Sequence, residues 1–81
     1  MKEYADGKIQ VETQGPVTTV IINRAEVRNA LDNDAARGLG QAMRDFDADE
    51  SRLVAVLTGT GGAFCAGADL KAVAGSADYV A

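Results

Sequence analysis

The alternation of hydrophobic and polar positions near the start of the chain predicts a hairpin. In residues 8–13 polar and apolar side chains alternate, which is typical of a strand buried on one face. Gln14, Gly15 and Pro16 then favour a turn, and the β-branched run at residues 17–22 predicts a second strand, antiparallel to the first. The fold is therefore expected to open with two antiparallel strands.

The middle of the chain predicts a helix. After a polar, irregular stretch, Asp32 and Asn33 are suitable N-caps, and Asp34 falls in the first turn. Apolar positions at helical spacing follow, namely Ala35, Ala36, Leu39, Ala42, Met43 and Phe46. Gly38 and Gly40 would each cost about 1 kcal/mol relative to alanine in a helix. Either close packing or weak selection on stability would explain them.

A second strand region follows the helix. Residues 53–58 are apolar almost throughout, which predicts a strand covered on both faces. Strand, helix and strand in this order predict a right-handed parallel crossover. Residues 74–81 thin to small side chains without a capping signal, so we expect the chain to be cut rather than finished.

Composition narrows the classes of function. The 81 residues carry a formal charge of -4 and include no His and a single Cys. Such a chain is poorly suited to nonspecific nucleic-acid binding, to a disulfide framework or to a multi-cysteine zinc site. Its charged N-terminus does not resemble a signal peptide, and no apolar run approaches the ~18 residues of a membrane span. We therefore expect a cytoplasmic protein with no metal and no nucleic-acid or membrane partner.

Most of the chemical information lies in the glycine-rich residues 58–71. A strand that ends in glycines before a helix start is where α/β proteins bind ligands. Phe64 stands at the third glycine of a dinucleotide fingerprint, and Ala68 and Asp69 stand where a P-loop needs Lys and Ser or Thr, so neither motif fits. Backbone N–H groups at this helix start are instead suited to stabilise a negatively charged oxygen.

Three segments resemble the crotonase (enoyl-CoA hydratase/isomerase) superfamily. They read INRAEVRNAL at residues 22–31, VAVLTG at 54–59 and AFCAGADL at 63–70. The resemblance implies an α/β protein with the crotonase-like ββα spiral fold. Residues 1–81 would form the N-terminal part of one such domain, with a hairpin, a helix, a buried strand, a glycine-rich loop and a short helix.

The resemblance also implies an enzyme that binds acyl-CoA thioesters and stabilises an enolate with two backbone N–H groups, in a trimer or hexamer. Ala68 corresponds to the first of these donors. Coenzyme A is part of the substrate, so no separate cofactor is expected. The positions that correspond to the CoA site are Arg28, Ala30, Ala66, Asp69 and Leu70, and the bases nearest to its phosphates are Arg24, Arg28 and Lys71.

Other family functions have no counterpart in this sequence. The second oxyanion donor and the acid–base residues are not matched, so hydratase, isomerase, hydrolase and dehalogenase chemistry stay undistinguished. Asp69 is expected to cap a helix, and Cys65 to serve packing rather than act as a nucleophile. An alternative is a truncated, inactive chain that acts only in subunit association or weak CoA binding.

Overall fold

The computed structural model describes residues 1–61, 64, 65 and 67. In this part of the chain a four-stranded sheet of order β1-β2-β3-β4 packs against helix α1. A 3₁₀ turn, Ala25–Val27, lies between β3 and the helix. The elements are β1 at Lys2–Tyr4, β2 at Ile9–Gln14, β3 at Val17–Ile22, α1 at Asn33–Ala48 and β4 at Val54–Gly59.

The predicted hairpin is confirmed. β2 and β3 pair antiparallel from Ile9 opposite Ile22 to Gln14 opposite Val17. Gly15 lies in the tight connection with a φ of 59°, a left-handed conformation that glycine adopts without a side-chain penalty.

The hydropathy pattern does not predict β1, which pairs antiparallel with β2. The strand has only three residues, and two of them are charged. Tyr4 lies opposite Ile9 and packs against the core, while Lys2 and Tyr4 both contact Asp45 of the helix. Tertiary contacts rather than intrinsic strand propensity therefore account for this strand.

Helix α1 begins at the predicted cap. Asp32 accepts a hydrogen bond of 2.8 Å from the Ala35 N–H through its Oδ1 atom. The buried core contains Ile9, Val20 and Ile22 of the sheet and Ala35 and Ala42 of the helix. The helix contacts β1, β2 and β3, and this face of the sheet forms the core.

The buried face of the helix differs from the predicted stripe at three positions. Ala36 and Met43 are exposed, whereas Gly38 is buried. A Cβ atom on Gly38 would lie 3.0 Å from the Ala5 Cβ and 3.3 Å from the Tyr4 Cβ, so close packing accounts for this glycine. Gly40 has no comparable neighbour: the nearest atoms within reach belong to the flexible end of Arg44.

β4 pairs parallel with β3, as predicted, from Val17 opposite Val54 to Ile22 opposite Gly59. The expectation that β4 is covered on both faces is wrong for the described residues. Val54, Val56 and Leu57 remain 50%, 44% and 43% exposed. The physical reason is that the contacts of the helix are concentrated on the first three strands, which leaves the faces of β4 largely uncovered.

Candidate functional site

The candidate site lies at the edge of the sheet where β3 and β4 end. Residues 23–31 leave β3 at this edge, and the segment from Thr60 onward leaves β4 beside them. The ladder extends one step further here, because the Thr60 N–H donates to the Ile22 carbonyl at 3.0 Å. Parallel pairing thus brings two loops together at the carboxyl ends of their strands, a common position for ligand sites in α/β proteins.

Asn29 joins these two loops. Its side chain is fully buried, and its Nδ2 donates to the Thr60 carbonyl at 2.8 Å. Its Oδ1 accepts from the Arg24 N–H at 2.8 Å, and its own N–H donates to the Arg24 carbonyl at 2.8 Å. The side chain therefore closes the 23–31 loop on itself and fastens it to the end of β4.

A second link reaches the glycine-rich segment. The Leu31 N–H donates to the Gly67 carbonyl at 2.8 Å. Gly67 has a φ of 99°, a conformation that favours glycine, and its N–H lies 3.4 Å from the Cys65 Sγ. Gly67 immediately precedes Ala68 in the sequence, so this link holds the residue next to the predicted oxyanion donor.

Arg24 and Asp32 form an ion pair beneath the loop. The Arg24 side chain is only 12% exposed, and its guanidinium lies 3.5 Å from Asp32 and donates to the Ala30 carbonyl. Lys8 binds the same carboxylate at 2.8 Å. Arg24 is thus engaged within the protein, and its place among the bases nearest to the CoA phosphates stays a prediction.

These contacts shift two pKa values. Partial burial favours the neutral form of Asp32, but hydrogen bonds from Lys8 and the Ala35 N–H, together with the charge of Arg24, outweigh it and lower the pKa of the carboxyl group. The hydrogen bond to Asp32 raises the pKa of Lys8. Both groups are therefore charged at neutral pH, and they tie the start of the helix to the residue that precedes β2.

The predicted site residues divide into two groups. Arg28 is exposed and Ala30 is half-buried, and both lie in the loop that Asn29 holds. Cys65 packs against the core, as predicted. The remaining predicted positions lie outside the described residues: Ala66, Ala68, Asp69, Leu70 and Lys71.

Two contacts at this site are not predicted from the sequence. The side-chain contacts of Asn29 are one, and the signal in the sequence is the residue type itself, because asparagine tolerates the left-handed conformation found here, with a φ of 59°, better than most residues. Gly61 is the other, since a Cβ atom there would lie 3.1 Å from the Ala25 Cβ. This close approach of the two loops depends on tertiary structure, which local sequence does not reveal.

Residues 1–61, 64, 65 and 67 contain neither a cluster of metal-ligating side chains nor a membrane-spanning helix. Among those residues, no three His, Cys, Asp or Glu side chains form a group able to hold a metal ion. In the same residues, no helix has both the length and the apolar character needed to cross a membrane.

Comparison with protein families covers most of the chain. The family model for enoyl-CoA hydratase/isomerase matches residues 12–80. The chain belongs to this family. The observed sheet and helix match the N-terminal part of the crotonase fold, which confirms the predicted fold class at this level.

Individual members of the enoyl-CoA hydratase/isomerase family resemble the chain in sequence and structure. The enoyl-CoA hydratase EchA19 of Mycobacterium tuberculosis is 45% identical over 62 residues, which are 76% of this chain and 23% of that protein. The crystal structure of an enoyl-CoA hydratase from M. tuberculosis H37Rv has a TM-score of 0.82 at 43% identity and covers 85% of this chain and 27% of its own. A carnitinyl-CoA dehydratase from Mycobacterium avium gives a TM-score of 0.76 at 42% identity, with coverage of 80% and 26%. The chain thus spans about a quarter of the length of the relatives it matches.

Proposed function

We propose that this chain contributes part of an acyl-CoA site and one oxyanion donor to an enoyl-CoA hydratase/isomerase-like enzyme. The observation that carries the proposal is the joining of the 23–31 loop to Thr60 and Gly67 at one sheet edge, in a member of this family. The relatives named above carry enzyme names, which does not favour the alternative of a chain that acts only in subunit association or weak CoA binding.

The proposed chemistry uses a backbone group. In this mechanism the Ala68 N–H donates to the thioester oxygen and stabilises the negative charge that develops there as the enolate forms. An N–H donor fixed by the fold needs no reorganisation during the reaction, so it favours the transition state over the ground state. The link from Leu31 to the Gly67 carbonyl supports this role, because it restrains the peptide unit that contains the Ala68 N–H.

The proposed CoA site has two sides. Arg28 and Ala30 lie on one side, and Ala66, Asp69 and Leu70 are assigned to the other. Arg28 is exposed at the loop surface, where its charge is accessible to a phosphate, whereas Arg24 is paired with Asp32. We further propose that coenzyme A enters only as part of the substrate and that the enzyme acts in the cytoplasm as a homo-oligomer, a trimer or hexamer.

Replacement of the backbone donor tests the mechanism. In active enzyme that contains this chain, an ester in place of the peptide bond between Gly67 and Ala68 removes the N–H with little change in shape. Turnover of crotonyl-CoA should fall by roughly 10²-fold or more, the usual cost of one oxyanion donor. Ala68→Pro should have a similar effect but also constrains the backbone. Full turnover by the ester, combined with loss of turnover in folded Asp69→Asn or Cys65→Ser, would rule out the backbone donor.

A pair of charge reversals tests the binding site. Arg28→Glu should weaken CoA binding, and the loss should diminish at high salt because exposed charges are screened. Arg44 is an exposed arginine on α1 and provides the matched control, since Arg44→Glu should leave CoA binding nearly unchanged. Titration calorimetry at two salt concentrations compares the variants. Equal losses would place the site elsewhere.

A further inference from the structure

We infer that Asn29 is a positioning residue that keeps the two sides of the proposed acyl-CoA site in register. The inference rests on the proposed function. Asn29 has no exposed surface, so its side chain acts through the protein rather than by touching a ligand. Its amide binds the Arg24 N–H on its own loop and the Thr60 carbonyl on the neighbouring loop.

The chemistry of this position requires an amide. The oxygen must accept from an N–H while the nitrogen donates to a carbonyl, and a carboxylate of the same shape can fulfil only the first role. A buried polar group without a hydrogen-bond partner costs free energy. The side-chain amide of Asn29 is therefore strongly favoured in the orientation that directs its nitrogen to the Thr60 carbonyl.

The backbone adds a second requirement. Arg28 and Asn29 have successive φ values of 56° and 59°, both in the left-handed region. Left-handed residues other than glycine cost free energy and persist where surrounding contacts hold them. The hydrogen bonds of the Asn29 side chain to Arg24 and Thr60 supply such contacts, and they fix the turn that holds Arg28 and Ala30 on one side of the proposed site.

The Asn29–Thr60 and Leu31–Gly67 links act on opposite ends of the same segment. Asn29 holds Thr60, and Leu31 holds Gly67, so residues 60–67 are attached to the 23–31 loop at both ends. Loss of the Asn29–Thr60 bond should therefore weaken the Leu31–Gly67 bond, although Asn29 supplies neither the donor nor the acceptor of that bond. This coupling separates a positioning role from a purely local one.

The test uses one isosteric substitution at two asparagines of the same loop. Asn29→Asp keeps the acceptor for Arg24 and removes the donor to Thr60. Asn23→Asp is the matched control, because it removes an exposed donation to a backbone carbonyl, that of Gly7 at 3.1 Å, and keeps the oxygen that accepts from the Thr60 hydroxyl at 3.3 Å. Hydrogen exchange at the Leu31 amide should be roughly tenfold faster in Asn29→Asp and nearly unchanged in Asn23→Asp.

Exchange at the Ala42 amide, inside the helix, reports global unfolding. Unchanged protection of Leu31 in Asn29→Asp would overturn the inference, and so would equal acceleration at Leu31 and Ala42. In the active enzyme, kcat for crotonyl-CoA should fall roughly tenfold in folded Asn29→Asp, whereas the exposed-site control should stay within about twofold. A wild-type kcat in Asn29→Asp would also overturn the positioning role.

The exchange and activity measurements separate this inference from the proposed function. If wild-type protein neither binds CoA nor turns over crotonyl-CoA, the proposed function fails. Faster Leu31 exchange in Asn29→Asp would in that case still support the connection between the two loops. If wild-type protein is active but Leu31 exchange does not respond, the positioning role alone fails.

Discussion

β3 and β4 are adjacent parallel strands of similar apolar composition, yet their environments differ. Alternate residues of β3 are almost fully buried: Thr18, Val20 and Ile22 are 3%, 0% and 1% exposed. In β4, Val56 and Leu57, which point to opposite faces of the sheet, are both more than two-fifths exposed. The helix packs over β3 and the two strands beyond it, whereas β4 lies outside its main contacts.

The difference in burial between β3 and β4 shows that strand formation and burial are separate properties, although a hydrophobic run favours both. An apolar, β-branched sequence favours a strand and favours its burial. It carries no information on which element supplies the cover, because that element is encoded elsewhere in the chain. The run at 53–58 therefore predicts the strand correctly and its surroundings incorrectly for the residues that the structure describes.

The largest expected effect concerns assembly. Because β4 exposes Val54, Val56 and Leu57, the 81-residue chain should self-associate or lack fixed side-chain packing. Sedimentation and near-ultraviolet circular dichroism measure these properties. Replacing Val54 and Val56 together by lysine should reduce association. A wild-type monomer with a sharp cooperative melt would contradict the exposure of β4.

The second prediction compares truncations on the two strands. Ile22→Ala should lower the free energy of unfolding by about 2–5 kcal/mol, because it leaves a cavity in the core. Val56→Ala should lower it by less than about 1 kcal/mol, because Val56 is 44% exposed. Urea unfolding measures both values. Equal losses would contradict the proposed difference in cover.

The third prediction concerns how the helix reaches the sheet. Gly38→Ala should destabilise the protein by about 1–2 kcal/mol, because the added methyl group meets Ala5 and Tyr4 at the helix–sheet contact. Gly40→Ala is the matched control and should stabilise it by up to about 1 kcal/mol through helix propensity. Thermal unfolding distinguishes the two. Stabilisation by both variants would show that close packing does not require Gly38.

The smallest expected effect depends on pH. The lowered pKa of Asp32 means that folding favours its charged form, so this contribution is present above the ordinary value of 3.8 and is lost as the pH falls through the folded value. Asp32→Asn should cost less than about 1 kcal/mol at pH 7, and the difference from wild type should vanish in acid. Asp47→Asn, at an exposed helix position, provides the control. Unfolding measured at several pH values tests this prediction. The same pH dependence of stability in both variants would contradict it.

The sequence predicts the features that depend on neighbouring residues. Alternation along residues 8–13 is sufficient for the hairpin, and Asp32 is sufficient for the start of the helix. β1 is missed because its three residues gain their strand conformation from contacts with β2 and the helix. At the candidate site, Asn29 and Thr60 are 31 residues apart, so no local pattern reveals their hydrogen bond.

The parallel pairing of β4 also affects the order of folding. The β2–β3 hairpin closes through a tight turn, whereas Val54 must find Val17 across the whole intervening helix. Local hairpins form in microseconds, but contacts between distant residues wait for loop closure. During synthesis, β1 to β3 emerge and can pair before residue 54 has been made. We therefore expect β4 to be the last strand to join the sheet.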